Sequence, residues 1–265
     1  MELTEILRCP KTGNRLRFNE VDSVVYVEDC DIVYPIINGI VDFCPQASDA
    51  VSVSYDKVAW RYDSHMTSST LLMKVCSLIV WGIGDDSQFV DTVLSYLPCQ
   101  FDGVLLDVPV GTGVFTDSLY ARFPNASIIA VDYSMGMLQR AKDRFEQQGL
   151  NNVCLVRADV ANLPLTNGVT DIVLSMNGLH VFTDKQRAIA EMRRVLRKDG
   201  LLVGCSYLKG VRGLSDWFVK HFGVRNGYFH PPFFTLDDFG QQLEGFEIRR
   251  QDNVRPGVCF EAVKR

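Results

Sequence analysis

Residues 105–119 read LLDVPVGTGVFTDSL. An apolar run ends in Asp107, turns through Gly111-Thr112-Gly113, and continues into a helix-forming stretch. Strand, glycine turn and helix together make a ligand-binding device: glycine lets the backbone come close, and the helix N-terminus offers free N–H groups. A dinucleotide fingerprint would place a third glycine where Thr116 stands. Asp107 precedes the turn, where it would repel a pyrophosphate. A carboxylate there suits a cation, such as the ammonium of an amino acid.

Outward from this turn, apolar β-rich runs recur at residues 104–108, 127–131, 153–156, 171–174, 201–205, near 246–249 and at 258–263. Helical runs lie between them at 115–123, 135–148 and 185–196. Continuously apolar strands separated by helices predict a parallel sheet covered on both faces. The expected fold is therefore α/β, doubly wound, with a mostly parallel seven-stranded sheet.

Upstream, the pattern is different. Residues 1–48 show short strands at Leu16–Asn19, 23–28 and 31–36, with turns at 11–14 and 38–39, and carry 4 basic against 8 acidic residues. A boundary at 45–48 divides the chain into a small β-rich module (1–48) and a main domain (49–265) holding an excursion at 211–234. Helices are expected near 55–62, 70–80 and 86–97, the last with Val90, Val93, Leu94 and Leu97 on one face.

Composition narrows the class. Of 265 residues 47% are apolar and 22% charged, which excludes a disordered chain. No apolar run is long enough for a membrane span. The opening MELTEILRCPKTG lacks the apolar core of a signal peptide, so a cytoplasmic location is expected. A formal net charge of −5 without a basic stripe disfavours nucleic acid as a partner. Eight cysteines (Cys9, Cys30, Cys44, Cys76, Cys99, Cys154, Cys205, Cys259) are read as free thiols, the last five as interior ones.

Two further acids stand at strand ends. In IIAVDYSMGMLQRAK (128–142) Asp132 follows Asp107 by 25 residues and is placed to accept both hydroxyls of a ribose; alternatively it caps the helix beginning near Ser134. In RADVANLPL (157–165) Asp159 could accept an adenine amino hydrogen while Val160 packs on the ring.

This ordered set resembles the class I S-adenosylmethionine-dependent methyltransferases over residues 54–265. The resemblance implies S-adenosylmethionine as cofactor, S-adenosylhomocysteine as product, and no metal. It gives Asp107, Pro109, Gly111 and Gly113 the methionine part, Asp132 the ribose, Asp159 and Val160 the adenine, and Tyr133 and Met137 the flanks of the adenosine. Pro109 replaces the first glycine of the family's Asp-x-Gly-x-Gly-x-Gly loop, losing an N–H but keeping the carbonyl. SYDKVAWRYD (54–63) looks like the helix that closes over the cofactor in the ubiquinone/menaquinone-biosynthesis type; an amphipathic packing helix is the alternative.

The fourth strand ends in DIVLSMNGLHVFTD (171–184), the segment that faces the reactive methyl in the family, with Ser175 expected at the cofactor. Amino methyltransferases carry Asn/Asp-Pro-Pro-Tyr/Phe there, and this chain has Ser175-Met176-Asn177-Gly178. HPPFF (230–234) falls after the fifth strand and reads as a turn or lid. His180 is the candidate general base, because a neutral imidazole can take a proton near pH 7; alignment of the reacting atoms could also suffice without a base. Residues 214–234 hold seven aromatics. They suggest an acceptor wall with Trp217, Phe222, Tyr228 and Phe233, or a satellite core. Lys209, Arg212, Lys220, His221 and Arg225 nearby would suit an acidic group on the acceptor. The partner expected is a small-molecule methyl acceptor; the oligomeric state is not set by these features.

ILRCPKTGNRLRF (6–18) and DIVYPIINGIVDF (31–43) resemble the zinc-ribbon-like domain of the tRNA-methyltransferase activator subunit. The second knuckle thiol is replaced by Thr12, so the ribbon is degenerate and expected to be metal-free. Small-molecule methyl transfer is the leading reading. RNA methylation and a non-catalytic cofactor-binding role remain as alternatives.

Overall fold

The computed structural model describes residues 3–19, 21–28, 30–45, 78–82, 87–254 and 256–265. The expected helices at 55–62 and 54–63, most of that at 70–80, and Cys76 lie outside the described residues.

All seven strands of the main domain are present: β5 (Val104–Asp107), β6 (Ser127–Asp132), β7 (Val153–Arg157), β8 (Thr170–Met176), β9 (Leu196–Tyr207), β10 (Phe246–Val254) and β11 (Gly257–Lys264). Their order is β7-β6-β5-β8-β9-β11-β10, parallel through β9, with β11 and β10 antiparallel. All but the edge strand β10, which is mostly exposed, are largely buried on both faces because the apolar runs alternate between two cores. Leu106 enters the core beneath α5 (Lys185–Val195), and Leu105 enters the core beneath α2 (Ser87–Ser95), α3 (Asp117–Arg122) and α4 (Met135–Gln147).

Local signals fix the helix that follows β6. Ser134 Oγ accepts from Met137 N at 3.1 Å and caps α4. Beyond its C-terminus Gly149 takes φ +68° and donates to the Glu146 carbonyl. Met137, Leu138, Ala141 and Phe145 form its buried face.

The N-terminal strands do more than append to this sheet. A short helix, α1 (Leu3–Ile6), leads to β1 (Leu16–Asn19), β2 (Val24–Val27), β3 (Val33–Ile37) and β4 (Ile40–Asp42). Asn38 and Gly39, at φ +52° and +77°, make the β3–β4 turn. β4 then pairs in parallel with β7, Val41 opposite Val156 and Asp42 opposite Arg157, so that among the described residues one sheet of eleven strands joins module and main domain. The sequence reading missed β4, whose three residues carry too little pattern to register.

The described cysteines are free. Cys9, Cys205 and Cys259 are buried, Cys44 and Cys154 half-buried, Cys30 and Cys99 exposed. The interior place expected for Cys99 is therefore wrong: it lies in the turn after α2, not on the helix's buried face. Cys9 Sγ lies 3.3 Å from the Tyr34 hydroxyl. Among the described residues no three His, Cys, Asp or Glu side chains gather as a metal set, and no helix is long and apolar enough to cross a membrane.

Candidate cofactor site

The C-terminal ends of β5, β6, β7 and β8 open on one cavity. Asp107, Pro109, Gly111, Asp132, Tyr133, Met137, Asp159 and Val160, eight of the residues that the sequence assigns to a cofactor, all line it. Its position, outside the carboxyl ends of parallel strands beside the first crossover, is where open α/β sheets take ligands.

Asp132 is held from two sides. Its Oδ2 accepts from Gly111 N at 2.8 Å and its Oδ1 from Ser134 N at 2.9 Å. The capping alternative for Asp132 fails, because Ser134 caps α4. A carboxylate oxygen can accept more than one hydrogen bond, so a pinned Asp132 still has acceptor capacity for a diol. Asp159 Oδ1 accepts from Ala161 N at 2.8 Å, fixing the 3₁₀ turn Val160–Asn162 at the cavity's edge.

Asp107 is fully buried, and its Oδ2 accepts from the Tyr120 hydroxyl at 2.6 Å. Burial pushes its carboxyl up to about 7, against the opposing pull of the Tyr120 and Thr116 hydroxyls. Its Oδ1 is buried with no donor in good hydrogen-bond geometry, the Thr116 hydroxyl stands close enough to the carboxyl to favour its ionised form, and both residues line the cavity. Buried polar groups are ordinarily paired. A carboxyl with an unmatched oxygen and a raised pKa is therefore built for a cationic donor. The site fits the ammonium-bearing end of S-adenosylmethionine at Asp107 and a ribose at Asp132.

The two glycines of the turn have different reasons. Gly111 takes φ +58°, lines the cavity, and has nothing within 4 Å of where a Cβ would sit. Gly113 takes φ +72°, and its Cβ would fall 2.5 Å from a ring carbon of Phe145. It seats the loop on α4, behind the residues that line the cavity. Ser175 is likewise buried behind the lining, while its neighbours Met176 and Asn177 form the wall.

His180 is also displaced from its expected role. It is buried outside the lining, stacked on Phe229 at 4.6 Å. Its Nδ1 accepts from Tyr207 N at 3.2 Å, with the Ser206 hydroxyl at 3.4 Å. Burial, then the nearby Lys185 ammonium, pulls its pKa down to about 3. A neutral imidazole whose Nδ1 accepts a backbone N–H carries its proton on Nε2, so the ring is set to donate rather than to take a proton.

The four aromatics expected to face the acceptor do not line the cavity. Trp217 and Phe222 lie on α6 (Gly213–Phe218) and the π-helical turn Val219–Gly223, 52% and 48% exposed. Phe233 is half-buried and packs on Tyr207 at 5.5 Å. The apolar part of the cavity is instead built by Val114, Phe115, Val181 and Phe182. Sequence reasoning missed these, although Phe115 and Phe182 stand in the two stretches it singled out.

Residues 105–200 match the family model described as methyltransferase domain, and residues 2–39 that of the Trm112p-like protein. The ubiquinone/menaquinone biosynthesis C-methyltransferase UbiE of Campylobacter jejuni is 33% identical over 180 residues, 58% of this chain and 74% of that protein. A malonyl-[acyl-carrier protein] O-methyltransferase of Geobacter sulfurreducens is 41% identical over 97 residues, 37% of this chain; the chain spans only 36% of that relative's length. Among solved structures the [4+2]-cyclase SpnF superposes with a TM-score of 0.64 over 81% of this chain and 94% of that one, at 17% identity. The last likeness concerns the fold alone, and a fold does not fix a reaction.

Proposed function

The chain belongs to the class I S-adenosylmethionine-dependent methyltransferases, and on that premise we propose that it methylates a small, partly apolar or aromatic acceptor by direct in-line displacement. When bound, S-adenosylmethionine supplies an electrophilic methyl carbon on a sulfonium. Asp107 holds the cofactor's ammonium, Asp132 its ribose, and Asp159 with Val160 its adenine. Val114, Phe115, Val181 and Phe182 exclude water from the remaining wall and receive the acceptor.

The observation that carries this reading is one cavity joining the unmatched Asp107 carboxyl oxygen to an apolar wall. The names of the quinone-biosynthesis and malonyl-carrier relatives support a small or carrier-borne acceptor over a nucleic-acid base. With His180 set as a donor, alignment of acceptor, methyl carbon and sulfur supplies the acceleration. Residues 1–48 are the degenerate ribbon module and residues 49–265 the catalytic part, with 211–234 as a cover packed outside the cavity.

The test incubates the protein with methyl-labelled S-adenosylmethionine and a fractionated cell extract. Label is expected in organic-extractable small molecules. Label confined to RNA would establish the alternative that the Trm112p-like match favours. Calorimetry showing no S-adenosylmethionine binding would remove both.

A further inference from the structure

A buried arginine connects the N-terminal module to the cavity. Arg157 ends β7 and is 7% exposed. Its Nη1 donates to Asp42 Oδ2 at 3.2 Å and to the Cys44 carbonyl at 3.1 Å, both in the module. Its Nε donates to the Tyr133 carbonyl at 3.0 Å, and its guanidinium carbon lies 6.0 Å from the Tyr133 ring centroid. Tyr133 lines the cavity between Asp132 and Ser134, whose N–H holds Asp132. Asp42 is itself 2% exposed and braced, its Oδ1 accepting from Cys44 N at 2.8 Å.

We propose that residues 3–45 are a built-in positioning element for the nucleoside half of the cofactor site, acting through the Asp42–Arg157 pair on Tyr133. The proposal rests on reading the cavity as an S-adenosylmethionine site. The guanidinium is a rigid planar fork. One edge is fixed by the β4 carboxylate, so the other edge fixes the tip of β6, where Tyr133 follows the ribose acid. Gly111 N holds Asp132 from the cavity side, and Arg157 holds the next residue from the module side. The module also grips the turn after β7, where Asn162 Nδ2 donates to the Pro10 carbonyl at 3.3 Å and Arg8 N to the Pro164 carbonyl at 2.9 Å. Thus the module contacts the segments carrying Tyr133 and Asp159. The Asp107 end of the cavity is held by Tyr120, outside the module.

Calorimetry with S-adenosylhomocysteine and with 5′-methylthioadenosine, which lacks the amino-acid end, tests this on the full chain. Asp42→Asn keeps shape and removes the charge; Arg157→Lys keeps a charge and removes the fork. Each is expected to weaken both ligands by the same factor, about tenfold, within the range of coupling between two linked sites. Proton release on S-adenosylhomocysteine binding at pH 7, set at Asp107, is expected to stay as in the parent. Thr166→Val loosens a different module contact, the Thr166 hydroxyl on the Glu5 and Ile6 carbonyls, and is expected to leave both affinities unchanged.

Parent-like affinity in Asp42→Asn and Arg157→Lys would overturn the proposal. So would an equal loss in Thr166→Val, or a loss for S-adenosylhomocysteine that methylthioadenosine does not share. Should Asp42→Asn fail to fold by circular dichroism, Arg157→Lys carries the test. A parent protein that binds neither ligand would instead refute the cofactor reading itself, and the proposal with it.

Discussion

Gly111 donates its backbone N–H to Asp132 Oδ2 at 2.8 Å, tying the turn after the first central strand to the acid at the end of the second. The ribose acid is thus also a structural clamp, since its other oxygen takes Ser134 N. Asp132→Ala should cost S-adenosylhomocysteine affinity about a hundredfold or more, from lost charge-assisted hydrogen bonds. Two backbone donors also lose their acceptor, so thermal stability should fall with affinity. Asp132→Asn, able to accept at one oxygen only, should fall between. Calorimetry and thermal melts check both, and unchanged affinity in Asp132→Ala would refute the ribose assignment.

Gly111 and Gly113 should separate binding from folding. Gly113→Ala forces a methyl into the Phe145 ring from a left-handed backbone; the overpacking alone should destabilise by about 1–3 kcal/mol. Phe145→Leu in the same chain should recover part of that loss. Gly111→Ala meets no atom within 4 Å and so carries only the left-handed penalty, about 1–2 kcal/mol. Its methyl would enter the cavity and reduce cofactor affinity. Urea unfolding compared with ligand titration distinguishes the two.

The strand tips were legible from sequence because a parallel sheet writes them plainly: a short apolar run, an acid, then a helix. Asp107, Asp132 and Asp159 all reach one cavity for that reason. What pattern alone could not show was direction across a layer. Ser175 and Met176 are neighbours in β8, and a period of two sends one behind the wall and the other into it. The aromatic excursion misled in the same way, since ring content says nothing about which face a ring takes. Arg157 stood in view in RADVANLPL as a charge ending an apolar strand. Its partner Asp42 lies 115 residues away, in a strand of three residues.

His180 should not titrate between pH 5 and 8. Its folded pKa lies near 3, below the 6.5 of an ordinary histidine, so the unfolded chain binds the extra proton as pH falls through 6.5. More protons on the unfolded state means that this residue makes stability fall with decreasing pH from about 6.5 toward 3. Its ring C2 proton in an NMR titration should stay at the neutral shift throughout. His180→Ala would leave Tyr207 N without its acceptor and lose the Phe229 stack, lowering stability by about 1–3 kcal/mol. A histidine titrating near 6.5 at this position would restore the general-base reading.

Asp107 has the opposite sign. Its folded pKa is raised from 3.8 to about 7, so between those values the folded protein without ligand holds a proton that the unfolded chain has lost. Stability from this group is therefore full below about pH 4 and declines as pH rises toward 7. A cationic ligand reverses the balance, because an opposite charge beside the carboxyl favours its ionised form. Cofactor binding should then expel a proton near pH 6.5, and affinity should strengthen from pH 6 to 8 by up to about tenfold, the weight of one proton lost per binding event across one pKa. Calorimetry in buffers of different ionisation enthalpy reads the proton directly. Asp107→Asn should abolish both the release and the pH dependence. The ligand-induced rise in melting temperature should be larger at pH 8 than at pH 6, and a rise independent of pH would mean that the ammonium binds elsewhere.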